Sequence, residues 1–385
     1  VQVLLLVLAS ALGMLAVGQG ASWDRSQRDQ ADFRAGASVR VQGTEPGMGQ
    51  AVAFPALPGV SDAAPARRIE VPLQNGRTAT ALALDTSRIH DGMLLRDDLS
   101  GTDPDRLLRS VRPARKTPAG GVELPAGTRA VVLGMSATTV SGEKGAPAGE
   151  TTSVAVTLED RFGIPYHQIA GDLPVDGRPH RITLDLGTAP HPLRLTGVEL
   201  VTQQHLDQDA EQKVVLRSAR ARSAGGTERP LAVSGSAWRV LLPSAATEDD
   251  GTASGEDERP APPAVHQAGT GLSFTYRTGF LPAEENDRFV ERPTTTVRLT
   301  MDRRVPLTIP AVASDRFLAS AGLEVGGTMD LPVPTGTVRV RITDTVHRLP
   351  TTGTQAARRD GGALLLDLRA ANQALTEIGD PALDP

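Results

Sequence analysis

From Val1 to Val17 (VQVLLLVLASALGMLAV) there is no charged position, and the first charge comes at Asp24. As a helix this run spans about 26 Å, close to the roughly 30 Å of a bilayer's hydrocarbon core. It predicts the end of a transmembrane helix over residues 1–20. A signal peptide competes, because Ala9, Ala11 and Ala16 are small, although no Met and no basic n-region precede the run. A buried core helix is the third reading. Residues 21–35 then mix charge with Trp23, as a stalk helix leaving a bilayer would, with the indole at the membrane–water boundary. Val39-Arg40-Val41 alternates and predicts a first strand.

Beyond this point the pattern changes twice. Arg67–Leu73 and Arg77–Asp85 alternate around Asn75-Gly76, a pair suited to a tight turn, and predict a hairpin. Asp103–Val111 predicts a short helix with an Asp cap. From residue 119 short apolar runs recur: Val131–Leu133, Val154–Leu158, Ile182–Leu186, Leu193–Leu195, Val198–Val201, Val214–Leu216, Ser236–Leu242, Leu272–Arg277 and Thr296–Thr300. Their Gly/Pro/Asp punctuation predicts an all-β sandwich, jelly-roll-like, over 119–303. Phe162–Tyr166 is expected to be a packing loop, and the acidic stretch within 245–267 a disordered loop. The final section returns to mixed elements: a strand at Pro306–Val312, a helix at Ser314–Ala321, a strand at Thr337–Val346, a buried strand at Ala363–Leu368 and a helix closed by Gly379. The expected class is therefore α+β, an α+β domain made of 21–118 and 304–385 with the sandwich inserted in it.

Composition narrows the chemistry. The chain has 385 residues, 39% hydrophobic and 22% charged, with a net charge of -5, which does not point to a nucleic-acid partner. Cysteine is absent, which excludes disulfides, thiol catalysis and Cys-ligated metals. Aromatic residues are 3% of the chain, so stacking platforms are scarce, and Trp238 lies in an apolar strand suited to core packing. No phosphate-binding loop, HExxH motif or GxSxG elbow occurs. The seven histidines are scattered. His180 with His191, which has no third ligand in view, and His205 with Asp207 and Asp209, which reads as a polar, solvent-facing turn, are the nearest approaches to metal sites. Asp97, Asp98, Asp103 and Asp105 fall in a turn-rich segment without a calcium-loop frame. Arg67-Arg68 and Arg303-Arg304 do not extend into patches. No catalytic, cofactor or metal residue is assigned.

The two ends of the chain share a texture. LLLVLASALGMLAVGQGASWDRSQRDQADFRAGASVRV, and the tail VPLTIPAVASDRFLASAGLEVGGTMDLPVPTGTVRVRITDTVHRLPTTG followed by GGALLLDLRAANQAL, resemble parts of the FtsX-like (MacB-like) ABC transporter permeases of high-GC actinobacteria. The resemblance covers about a third of the chain and implies a MacB-like extracytoplasmic domain that carries no cofactor. It implies a cell-membrane location, a cytoplasmic ATPase subunit that performs hydrolysis, contact with membrane lipid, and a homodimer or pseudo-dimer of permease halves. The region itself would be non-catalytic. It would couple ATP hydrolysis to movement of a lipid, lipoprotein, peptide or drug, or to control of a cell-wall enzyme. Trp23, Arg25, Gln27, Asp32 and Phe33 would form the coupling stalk. The alternative from a different class is a secreted β-rich protein that binds glycan or cell wall.

Overall fold

A computed structural model describes residues 2–42, 48, 53–61, 63–73, 76–89, 104–113, 120–141, 150–187, 189, 192–206, 209–233, 237–242, 263–281, 293–303, 305–352 and 359–383. The chain begins with α1 (Gln2–Ala35), a continuous helix of 34 residues. It ends where Gly36 adopts φ +75° and donates its N–H to the Asp32 carbonyl at 2.8 Å. Residues 39–41 form no strand: they are exposed and belong to none of the described sheets.

A mixed six-stranded sheet forms the first layer system. β1 (Ala66–Pro72) pairs antiparallel with β2 (Thr78–Leu84), and β2 lies parallel to β20 (Asp360–Asp367). β20 runs antiparallel to β17 (Thr308–Ser314), which is parallel to β19 (Gly336–Val346). β18 (Thr328–Val333) closes the far edge. The sequence of β2, TATALAL, shows why this sheet is covered on both faces. Ala79, Ala81 and Ala83 pack with α3 (Asp315–Ala321) and α4 (Leu368–Ile378), while Leu82 and Leu84 pack with α2 (Pro104–Val111) on the other face. A strand buried on both sides reads as near-continuous apolar rather than alternating.

Between β2 and β17 the chain builds an antiparallel sandwich with its own core of Leu133, Val156, Leu200, Val214, Trp238 and Phe274. One sheet has the order β13 (His266–Ala268), β14 (Gly271–Arg277), β10 (Glu211–Ser223), β4 (Thr128–Ser141), β7 (His180–Asp185), with β11 (Glu228–Leu231) also on β10. The other has the order β12 (Trp238–Leu241), β16 (Thr294–Met301), β8 (Leu193–Gln203), β5 (Thr151–Asp160), β6 (Pro165–Pro174), with β3 (Val122–Glu123) on β8. We call these the basic sheet and the inner sheet. The architecture is thus α+β with a β-sandwich.

Two further elements differ from expectation. The two short runs around Gly197 are one eleven-residue strand, β8, since a glycine in a strand need not end it. The expected loop at Phe162–Tyr166 is a tight turn followed by β6. Asp160 builds the turn by accepting from the Phe162 and Ile164 amides at 2.8 and 3.0 Å and from the Tyr166 hydroxyl at 3.2 Å. The acidic segment through residue 262, His90, His191, Asp97, Asp98, Asp103 and Asp207 lie outside the described residues.

Candidate functional site

The residues expected to form a stalk lie on the second half of α1, whose end meets the mixed-sheet domain. Trp23 is 67% exposed, and Arg25, Gln27 and Asp32 are exposed as well. Phe33 is half-buried, and its carbonyl accepts the Thr351 amide at 3.3 Å. Ser26, Gln30 and Phe33 form the half-buried stripe, at the i, i+4, i+7 spacing of one helix face, and the Gln30 amide reaches Ser26 Oγ at 3.4 Å. Of the five expected stalk residues, then, the structure brings one to the domain and leaves four facing out.

The receiving loop, residues 347–352, is held at both ends. His347 Nδ1 lies 2.5 Å from Asp315 Oδ2, and that hydrogen bond holds the Asp315 carboxyl below its ordinary pKa. Leu349 is buried among Leu82, Leu107, Val312 and Leu365, and Thr352 Oγ1 donates to the Leu349 carbonyl at 2.7 Å. Thr351 has φ +65°, the left-handed region that a β-branched residue enters only under constraint. A Cβ on Gly36 would stand 2.5 Å from Thr351 Cγ2. Gly36→Ala is therefore expected to separate α1 from the loop while the sheet stays folded. Hydrogen exchange reads this directly: the Thr351 amide should lose protection, and amides in β17 and β20 should keep theirs. Unchanged protection at Thr351 would show that the two segments are not joined there.

A second junction joins the sandwich to the mixed sheet. The tip of the β5–β6 turn puts Phe162 beneath the Arg88 guanidinium, 3.8 Å from the ring centroid, with Arg161 at 4.5 Å. Arg239 of β12 donates to the Glu377 carbonyl at 2.6 Å and lies 2.8 Å from its carboxylate, on the last turn of α4. Between the inner sheet and α4 is a cavity of about 260 Å³, with Thr157, Gly197 and Thr300 among its lining residues and Gln373 on the helix side. Along it Glu199 is paired on two sides, with His167 Nε2 at 3.2 Å and with Arg298 Nε. Arg303 and Glu159 pair at 2.5 Å.

Burial opposes ionisation of Glu199, but the hydrogen bond from His167 and the charge of Arg298 outweigh it and hold its pKa below the ordinary value. A carboxylate held by a hydrogen bond on one side and a guanidinium on the other is a poor general base. Because the folded-state pKa is lowered, the stabilisation is present above the unfolded carboxylate value of about 4.3 and is lost as pH falls through the folded value. Glu199→Gln is thus expected to lower the melting temperature at pH 6–7 and to converge on the unmodified protein as acid protonates Glu199. Parallel melting curves from pH 3 to 7 would contradict the pairing.

The other sites weighed from sequence are otherwise engaged. His180 pairs with Asp176 at 2.9 Å, His205 with Glu150 at 3.4 Å, and Asp209 with Arg277 at 2.5 Å. Among the described residues no group of three metal-ligating side chains occurs, and no helix is long and apolar enough to cross a membrane. Trp238 is buried in the sandwich core. The junction at 347–352 was missed in the sequence, and only the αL-prone Gly36 hinted that α1 stops there to meet something. In comparisons with known proteins, no family model, no curated protein and no solved structure matches this chain.

Proposed function

We propose that this chain is the extracytoplasmic region of an ABC transporter permease subunit of the FtsX-like, MacB-like kind, a non-catalytic body that transmits motion. The observation that carries this reading is the form and docking of α1. Over residues 3–17 it exposes Val3, Val7, Leu8, Leu12, Met14, Leu15 and Val17 on opposite sides of the helix, with Met14 77% exposed. A helix apolar on opposite sides needs an apolar surround, either lipid or neighbouring helices. Its polar second half then ends on a loop rooted in the core of the mixed sheet by Leu349. Tilting α1 would pull on that loop and, through it, on β19, α2 and the sheet. In this reading a cytoplasmic ATPase supplies the force, α1 and its membrane neighbours carry it, and the sandwich rides on α4 through Arg239 and on the turn after β2 through Phe162 and Arg88.

The test uses the intact permease reconstituted with its ATPase subunit. Spin labels at Gln27→Cys and Gly225→Cys are expected to change separation when ATP is added, with any cysteines elsewhere in the complex replaced; this region contributes none. An unchanged distance distribution through the ATPase cycle would contradict coupling.

The second reading, a secreted β-rich protein that binds glycan or cell wall, is favoured by two observations. No family model links the chain to permeases, and among the described residues no helix meets the length and apolarity of a membrane span. Retention of the chain on purified cell wall, with no association with membranes, would decide for it.

A further inference from the structure

We infer that the outward face of the basic sheet is a binding surface for a linear polyanion that presents phosphate groups. This inference stands whether the chain is a transporter part or a secreted binder, because it uses only the sandwich.

It rests on how β10 and its neighbours alternate. Val214, Leu216, Ala219 and Ala221 point into the sandwich core, so Lys213, Val215, Arg220 and Arg222 point out. A bulge between Leu216 and Ser218 adds one residue to that strand, Arg217, which is exposed. Bulges re-aim side chains in this way. On β7, Arg181 lies opposite Gly134, which in turn pairs with Ser218, so Arg181 joins the same face. Five cations thus gather on one surface of a chain whose net charge is -5.

Their compensation is uneven. Arg181 and Arg222 share one carboxylate, Glu228, at 2.5 and 3.2 Å. Glu211 and Asp185 stand at the two ends of the face. Among the described residues no carboxylate forms an ion pair with Lys213, Arg217 or Arg220. Arg217 instead reaches Ser136 Oγ at 3.4 Å, and the strand beneath is small there, with Gly134 and Ser136.

The geometry selects a chain-like ligand. Alternate positions on a strand are about 6.7 Å apart, so Lys213 and Arg217, with Val215 between them, stand about 13 Å apart, and Arg220 follows past the bulge; the three form a row along β10 rather than a pocket around one ion. Two of the three are arginines, whose planar guanidinium fits phosphate oxygens in pairs. Among the described residues the face carries no Phe, Tyr or Trp and only His266 at its edge strand, so it offers mainly charge and little stacking surface for bases or sugar rings. A flat, small-floored row of cations fits a flexible phosphate polymer.

The experiment measures binding of the whole chain to long-chain inorganic polyphosphate. Release of counterions from about three contacts predicts an affinity that falls roughly twentyfold between 50 and 200 mM salt. The triple variant K213E/R217E/R220E is expected to lose at least tenfold in affinity at 50 mM salt. A charge-matched control on the mixed-sheet domain, R109E/R341E/R348E, should stay within twofold. Both variants are checked by thermal melting, and single variants K213E and R220E, each expected to lose about threefold, serve if the triple fails to fold. Equal losses in triple and control would overturn the inference, as would binding that survives the triple variant. Binding to phosphatidylglycerol vesicles with none to polyphosphate would also overturn it, by assigning the face to a membrane.

Discussion

Gly362→Ala is expected to be the most damaging single substitution in the mixed sheet, destabilising the chain by more than about 3 kcal/mol. Gly362 sits in β20 with φ +83°, where any side chain is strained. A Cβ there would lie 2.2 Å from the Phe317 amide nitrogen and 2.7 Å from Ser314 Oγ. Those atoms form the start of α3. Ser314 Oγ accepts the Phe317 amide at 3.2 Å and the Ala363 amide at 2.8 Å, so one hydroxyl caps the helix and ties β20 to it. The clash is with backbone, which has no rotamer to yield. Urea unfolding should show a much lower midpoint for Gly362→Ala, with Gly225→Ala, whose Cβ meets nothing within 4 Å, near the unmodified protein. Equal midpoints for the two variants would refute this account of how β20 and α3 meet.

Asp367→Ala should follow closely, at about 2–4 kcal/mol. Asp367 ends β20 and caps α4, accepting from the Ala370 amide at 2.8 Å, the Thr86 amide at 3.2 Å and the Thr86 hydroxyl at 2.5 Å. Alanine leaves two buried amides without partners and releases the turn after β2 from the start of α4. Burial raises the Asp367 pKa, with the neighbouring charge of Asp85 adding to it against the hydrogen bonds that lower it. A raised folded-state pKa means that the carboxyl's contribution is greatest below the unfolded value of about 3.9 and declines as pH rises through the folded value. The deficit of Asp367→Ala should therefore be larger at pH 4 than at pH 7. A deficit that grows with pH would reverse the sign and show the carboxylate, not the acid, to be the favoured buried form.

Much of this architecture was legible from local chemistry. Asn75-Gly76 announced the β1–β2 hairpin, Gly379 the end of α4, and the alternation of Thr337–Val346 became β19. β6 was hidden because its residues do not alternate cleanly: His167, Ile169 and Gly171 face outward or sit at an irregularity, so the run lacks an apolar face in sequence. Val39–Val41 showed the opposite error, since alternation alone makes no strand. The basic face was invisible for a topological reason. The Lys213–Arg222 cations alternate with core residues, and neither Arg181 nor the bulge at Arg217 can be placed beside them without the register. The α1 junction was half legible: the change from apolar to polar was plain, but contact with a loop more than three hundred residues later depends on tertiary structure alone.

The central claim, that α1 begins in a membrane and carries the remainder outside it, is tested most directly by labelling single cysteines in intact cells expressing the whole gene product. With Val7→Cys and Gly225→Cys introduced separately into the cysteine-free region, a membrane-impermeant maleimide is predicted to label Gly225→Cys and leave Val7→Cys unmodified, with both proteins retained in carbonate-washed membranes. Equal labelling of the two positions, or release of a soluble product lacking residues 1–20, would contradict it.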